Sequence, residues 1–345
     1  MNQPPTLGIV TAARAQNSIL EVTMPRWTPL AAEPQPTLRE FAWQYAPSFF
    51  LDVGTACPLH CVYCSVERGA DDKVVRMEAR EHLYMRMADG AGAGILKVTF
   101  IGGEPASRPD FLHLADVAHA MAFDDVILAT KSVKLARPEF VAELKAHNVS
   151  IVHLSLDSFD PAVLGKMLAS KTAPKLLLEG LRELLRQEVD LFLFAVLTQH
   201  NLPGLLDYVR QMAALQAEFG RPMTAVLTPL KIESRAARNR AALVPKMEDL
   251  AAQVAQALDL AKELGVTLAY KNIPPCLMPN HRDFALERYL QELRIDLETD
   301  ERLPAAPSTY LTHGDACATC AERELCPGVD KRYAAQFGWA AFTPI

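Results

Sequence analysis

DVGTACPLHCVYC, residues 52–64, carries three cysteines, Cys57, Cys61 and Cys64, in the spacing C-x3-C-x2-C. It follows an apolar run (Phe49, Phe50, Leu51, Val53) that reads as a β-strand. Three thiolates on one short loop can hold three corners of a cubane iron–sulfur cluster. The fourth iron then stays open to a substrate or cofactor. A cluster that only passes electrons is normally closed by a fourth cysteine. A zinc loop is the other reading of this spacing.

About forty residues on comes KVTFIGGEP, residues 97–105: a β-run followed by Gly102, Gly103, Glu104 and Pro105. Glycines at a strand end let backbone approach a ligand closely, and Glu104 can accept from an ammonium group. Together the two motifs resemble the radical S-adenosylmethionine (radical SAM) superfamily, whose signature is C-x3-C-x-aromatic-C, with Tyr63 as the aromatic. The resemblance implies that Cys57, Cys61 and Cys64 hold a 4Fe–4S cluster. It also implies that the GGEP run takes the methionine amino group of SAM and that Tyr63 is a cofactor contact. His60, inside the loop, reads as a surface or supporting residue, since three cysteines already serve the cluster.

From about residue 48 strands and helices alternate. Strands are expected near 49–54, 95–101, 125–130, 150–156, 190–198 and 224–230. Helices are expected near 77–91, 110–121, 138–147, 172–188, 202–219 and 243–264. Six βα units imply a parallel sheet covered by helices. The resemblance makes this α/β architecture a partial (βα)6 TIM-type barrel with its chemistry at the C-terminal strand ends. The expected divisions are an N-terminal extension (1–47), the barrel (48–265) and a small C-terminal iron–sulfur domain (266–345). Three further residues become cofactor-binding candidates by resemblance: Ser155 and Asp157 at the end of the fourth strand and Asn201 after the fifth; Arg235, after the sixth, reads either as a partner for a substrate or SAM carboxylate or as a solvated charge. Ser155 and Asp157 are equally ordinary helix-capping material. Lys131 departs from the Thr-Asn-Gly that many relatives carry after the third strand.

The chain has seven cysteines; the other four are Cys276, Cys317, Cys320 and Cys326. An odd count divided three and four fits two metal sites better than disulfides. The C-x2-C-x5-C run of Cys317, Cys320 and Cys326, with Cys276 upstream, resembles the SPASM and twitch extensions that hold auxiliary 4Fe–4S clusters. Four thiols allow one closed cluster, suited to electron transfer or bracing. A tetrahedral zinc accepts the same ligands.

A net charge of −6 argues against a nucleic-acid partner, which demands a basic face. No apolar run is long enough for a membrane span, and the first residues lack the pattern of a signal peptide. A cytoplasmic setting, whose reducing poise keeps cysteines as thiolates, is the expectation. By resemblance the first cluster reduces SAM to methionine and a 5′-deoxyadenosyl radical, which takes hydrogen from substrate. The electron would come from a donor such as flavodoxin or ferredoxin. A small-molecule substrate is preferred, with peptide maturation, 3-amino-3-carboxypropyl transfer and non-catalytic redox sensing as alternatives.

Overall fold

The computed structural model describes residues 48–66, 75–288 and 310–345; the expected N-terminal extension lies outside them. Seven strands form one sheet in chain order, each parallel to its neighbour. They are β1 (Phe49–Asp52), β2 (Lys97–Ile101), β3 (Asp125–Thr130), β4 (Ile151–Ser155), β5 (Asp190–Leu197), β6 (Thr224–Pro229) and β7 (Thr267–Tyr270). Parallel neighbours need helical crossovers. These come from α1 (Arg80–Gly92), α2 (Phe111–Ala120), α3 (Pro138–Ala146), α4 (Pro161–Leu168), α5 (Ala173–Arg186), α6 (Leu205–Phe219), α7 (Ser234–Arg238), α8 (Arg240–Leu243) and α9 (Met247–Leu264). This is the partial α/β barrel the sequence predicts, with β7 added beyond the six expected strands.

The sheet is buried on both faces, and its two-residue period sorts the side chains. Leu128, Val152, Leu193 and Leu227 join the large core shared with the helices. Their neighbours Ile127, Ile151, Phe192 and Val226 form a second cluster on the other face, with Ala269 and Leu286. Phe100 of β2 is fully buried and meets Phe111 edge to face, with ring centroids 5.4 Å apart. Phe100→Ala is expected to cost about 3–5 kcal/mol, read as a lower urea midpoint at unchanged slope.

His153 of β4 lies on the inner face, its ring 5.5 Å from that of Phe192 and 5.2 Å from that of Phe194. Burial, reinforced by the Lys97 charge, pulls its pKa down to about 3 from 6.5. The native state therefore stays neutral at His153 while the unfolded chain protonates it. This contribution to stability is complete above pH 6.5 and is lost as pH falls toward 3, with a slope of up to about 1.4 kcal/mol per pH unit. Denaturation of wild type and His153→Phe across that window should show a shallower acid loss in the variant. Parallel curves would refute the assignment.

Beyond the barrel, β8 (Leu311–Thr312) pairs antiparallel with β9 (Val329–Asp330), and α10 (Lys331–Phe337) follows. Asp330 caps α10 by accepting from Arg332 N at 2.7 Å, and its other oxygen accepts from Ile232 N at 3.0 Å. Tyr333 Oη accepts from Met247 N at 2.7 Å. These buried bonds fasten the C-terminal segment to the turn after β6 and to the start of α9. Among the described residues no helix is long and apolar enough to cross a membrane.

Candidate active site

The cysteine loop continues the β1–β2 ladder past the strand ends. Val53 N donates to Ile101 O at 3.0 Å, Gly103 N to Gly54 O at 2.7 Å and Glu104 N to Ala56 O at 2.8 Å. A Cβ on Gly103 would stand 2.2 Å from Ala56 O. Gly54 has φ +109°, and a Cβ there would stand 2.3 Å from Arg76 O. Gly103 is thus small because the cysteine loop lies directly against it, a reason the sequence reading did not supply.

Two short segments that the sequence reading left as loops grip the other side. The α4 helix begins with Asp160 as N-cap and Pro161 in its first turn. Its Met167 O accepts from Val62 N at 2.9 Å. From α7, Arg235 Nη1 donates to Cys61 O at 3.0 Å and Ala236 N to Cys64 O at 3.2 Å. Asn239 Nδ2 donates to Val62 O at 2.8 Å.

A cavity of about 440 Å³ opens over the C-terminal strand ends, bordered by Cys57, Cys61 and Cys64. Tyr63, Gly102, Gly103, Glu104 and Ser155 also face it. Asp157, Asn201 and Arg235 do not line it. Arg235 instead braces the Cys61 carbonyl. Asn201 is buried, accepts from Thr198 N at 2.8 Å and donates to Asp157 O and Val196 O. Asp157 lies beneath the wall, accepting from Val196 N at 3.0 Å and from Tyr63 Oη. These three residues hold the residues that face the cavity.

Lys131 completes that support. Its ammonium donates to Asp157 Oδ2 at 2.5 Å and to Tyr63 Oη, and lies 4.8 Å from the Tyr63 ring centroid. Burial opposes its charge, but Asp157 and the Cys61 thiol hold its pKa above the ordinary lysine value. Burial pushes the Cys61 thiol up to about 11, with Lys131 pulling the other way. Glu104 is buried and accepts from Ala106 N at 3.1 Å, Thr130 Oγ1 at 2.5 Å and Lys131 N at 2.8 Å. Burial raises its carboxyl above the usual range, and those bonds act in the opposite direction.

The four remaining cysteines border one apolar pocket with His313, Trp339 and Phe342. Gly328 N donates to Cys326 Sγ at 3.4 Å, and burial lifts that thiol to about 11. Glu322, inside the cysteine loop, pairs with Arg288 at 3.0 Å and Arg282 at 3.5 Å. Among the described residues no three His, Cys, Asp or Glu side chains are gathered closely enough to hold a metal ion. The donor sets fit the expected groups: three thiols at an open cavity, and four around an apolar pocket.

Residues 51–210 match the sequence profile of the radical SAM superfamily. That segment carries a radical SAM superfamily domain. It is 29% identical over 220 residues to the PqqA peptide cyclase of Ruegeria pomeroyi, covering 64% of this chain and 56% of that protein. It is 24% identical over 176 residues to a probable GTP 3′,8-cyclase of Methanococcus maripaludis, covering 49% and 57%. The chain thus spans little more than half the length of these curated relatives. Streptococcus suis SuiB, solved with its precursor peptide SuiA, shares the fold with a TM-score of 0.51 at 15% identity, covering 65% of this chain and 49% of SuiB. The radical SAM superfamily uses a 4Fe–4S cluster and SAM, and both are expected of this chain.

Proposed function

We propose that this radical SAM chain abstracts a hydrogen atom from a peptide substrate presented at the 440 Å³ cavity. The observation that supports it is the placing of Cys57, Cys61 and Cys64 around the same cavity as the GGEP loop, Tyr63 and Ser155. Cys57, Cys61 and Cys64 would hold the cluster. The chemistry such a cluster supplies when bound is one-electron reduction of the SAM sulfonium, releasing methionine and a radical able to break an unactivated C–H bond.

The chain's own part is placement. Gly102, Gly103 and Glu104 offer the SAM amino group a backbone and carboxylate edge, and Tyr63, fixed by Asp157 and Lys131, offers a ring to the adenosyl end. Ser155 adds a hydroxyl for the ribose. Tyr310, from the C-terminal segment, lines one side of the cavity. The four C-terminal cysteines would hold an auxiliary cluster, with zinc as the other occupant their chemistry allows.

A peptide is preferred because the PqqA cyclase is a peptide-modifying relative. A small molecule is the second reading, favoured by the GTP cyclase relative. Deuterated cell extract, split into a peptide fraction and a dialysable fraction, tests the choice. The proposal expects deuterium in 5′-deoxyadenosine only with the peptide fraction. Label only from the dialysable fraction would establish the second reading.

A further inference from the structure

The short helix α7 joins two parts of the chain that the sequence keeps far apart. Arg235 Nη1, Ala236 N and, just past the helix end, Asn239 Nδ2 donate to the carbonyls of Cys61, Cys64 and Val62. Before the helix, Ile232 N donates to Asp330 Oδ2 at 3.0 Å, and Arg332 of α10 reaches Glu233 at 3.8 Å. Asp330 and Arg332 follow closely on Cys326. The C-terminal cysteine segment is therefore fastened to the helix that grips the first cysteine loop.

Ser234, the first residue of α7, has φ +47°. A residue with a Cβ keeps that left-handed conformation only where its surroundings enforce it. Bonds on both sides do so here: Ile232 N to Asp330 before the turn, and Ala236 N to Cys64 O after it. Asp330 is buried and divides its oxygens. Oδ1 caps α10, accepting from Arg332 N at 2.7 Å and Tyr333 N at 3.4 Å, while Oδ2 serves Ile232 N. The first cysteine loop is held in two halves. The β2 end holds Gly54 O and Ala56 O, next to Cys57, through Gly103 N and Glu104 N. The half with Cys61 and Cys64 leans on α7, with α4 adding the bond from Val62 N to Met167 O.

We propose that Asp330 is a positioning residue for the first cysteine loop: by holding Ile232 N it keeps the Ser234 turn wound, and the turn keeps α7 against Cys61, Val62 and Cys64. Whatever orders the C-terminal cysteine segment then also orders the open end of the first site. The value of this to the reaction rests on reading the three thiols as cluster ligands; the positioning itself does not.

The test reads each thiol separately. Full-length apoprotein, kept reduced under nitrogen, is alkylated with iodoacetamide, and peptide mass spectrometry gives the rate at every cysteine. Asp330→Asn is the main variant. Asparagine caps helices as well as aspartate, so its oxygen stays on α10 and its amide meets Ile232 N, donor against donor. Alkylation of Cys61 and Cys64 is expected to rise threefold or more, with Cys57 unchanged, and Asp330→Ala should repeat the pattern. Tyr333→Phe removes the acceptor for Met247 N and so loosens the same segment from α9 without touching the Ser234 turn. It should leave all three rates at the wild-type value. Unchanged rates in both Asp330 variants, a rise common to all seven cysteines, or the same rise in Tyr333→Phe would overturn the assignment. The proteins are then reconstituted with iron and sulfide and alkylated again. Wild type gaining no protection at Cys57, Cys61 and Cys64 would sink the proposed function and leave the positioning standing; protection in wild type with unchanged apoprotein rates in the Asp330 variants would do the reverse.

Discussion

Lys131→Met is expected to cost the apoprotein about 3–5 kcal/mol of folding stability, because it leaves the buried Asp157 carboxylate without its cation. The Asp157 side chain has no exposed surface and that of Lys131 only 12%, so water cannot replace the lost partner. The same change removes a donor to Tyr63 Oη and frees the ring whose loop carries the cysteines. Lys131→Met combined with Asp157→Asn should recover much of the loss. Asparagine keeps an acceptor for Val196 N and a donor toward Tyr63 while discarding the charge. Urea denaturation of wild type, Lys131→Met and the double variant decides the matter. A loss below about 1 kcal/mol in the single variant, or no recovery in the double, would mean that the pair does not carry its assigned weight.

Gly103→Ala is expected to cost about 1–3 kcal/mol by overpacking and to displace the cysteine loop. The added Cβ would meet Ala56 O at 2.2 Å, Thr55 C at 2.6 Å and Ala56 C at 2.7 Å, all backbone atoms that cannot rotate away. Iron incorporation at the first site should fall sharply after anaerobic reconstitution. Gly204→Ala serves as control, since nothing stands within 4 Å of its added Cβ. Equal iron content in Gly103→Ala and wild type would show that the loop tolerates the shift and that the close approach is incidental.

Neither contact behind these two expectations was legible in the sequence, but much of the sheet was. The β-runs at 97–101, 125–130 and 224–229 were readable because strands buried on both faces show as unbroken apolar stretches between turn signals. The grouping of the cysteines was readable from spacing alone, and Tyr63, Glu104 and Ser155 do face the cavity. β7 escaped because four residues, Thr-Leu-Ala-Tyr, carry too little period to separate a strand from the end of a helix–loop.

Asp157, Asn201 and Arg235 were placed one layer too far forward. All three follow strand ends, where the alternation that assigns a face stops and loop geometry takes over. Asp157 illustrates this: β4 ends at Ser155, and the chain then turns the carboxylate under the wall to meet Lys131, Tyr63 and Val196 N. The α4 helix had a readable start in Asp160-Pro161, a capping residue followed by proline. Its contact with the cysteine loop had no local signal, since a backbone carbonyl at Met167 supports Val62 N. Lys131 stood out as a departure from the family pattern, but only the folded chain shows that its partner is Asp157.

The most direct test of the account is product analysis after anaerobic reconstitution of wild type and Cys61→Ala with iron and sulfide, followed by SAM and dithionite. The account predicts that wild type releases 5′-deoxyadenosine and that Cys61→Ala releases none. Equal release from both proteins, or 5′-methylthioadenosine as the main wild-type product, would contradict it.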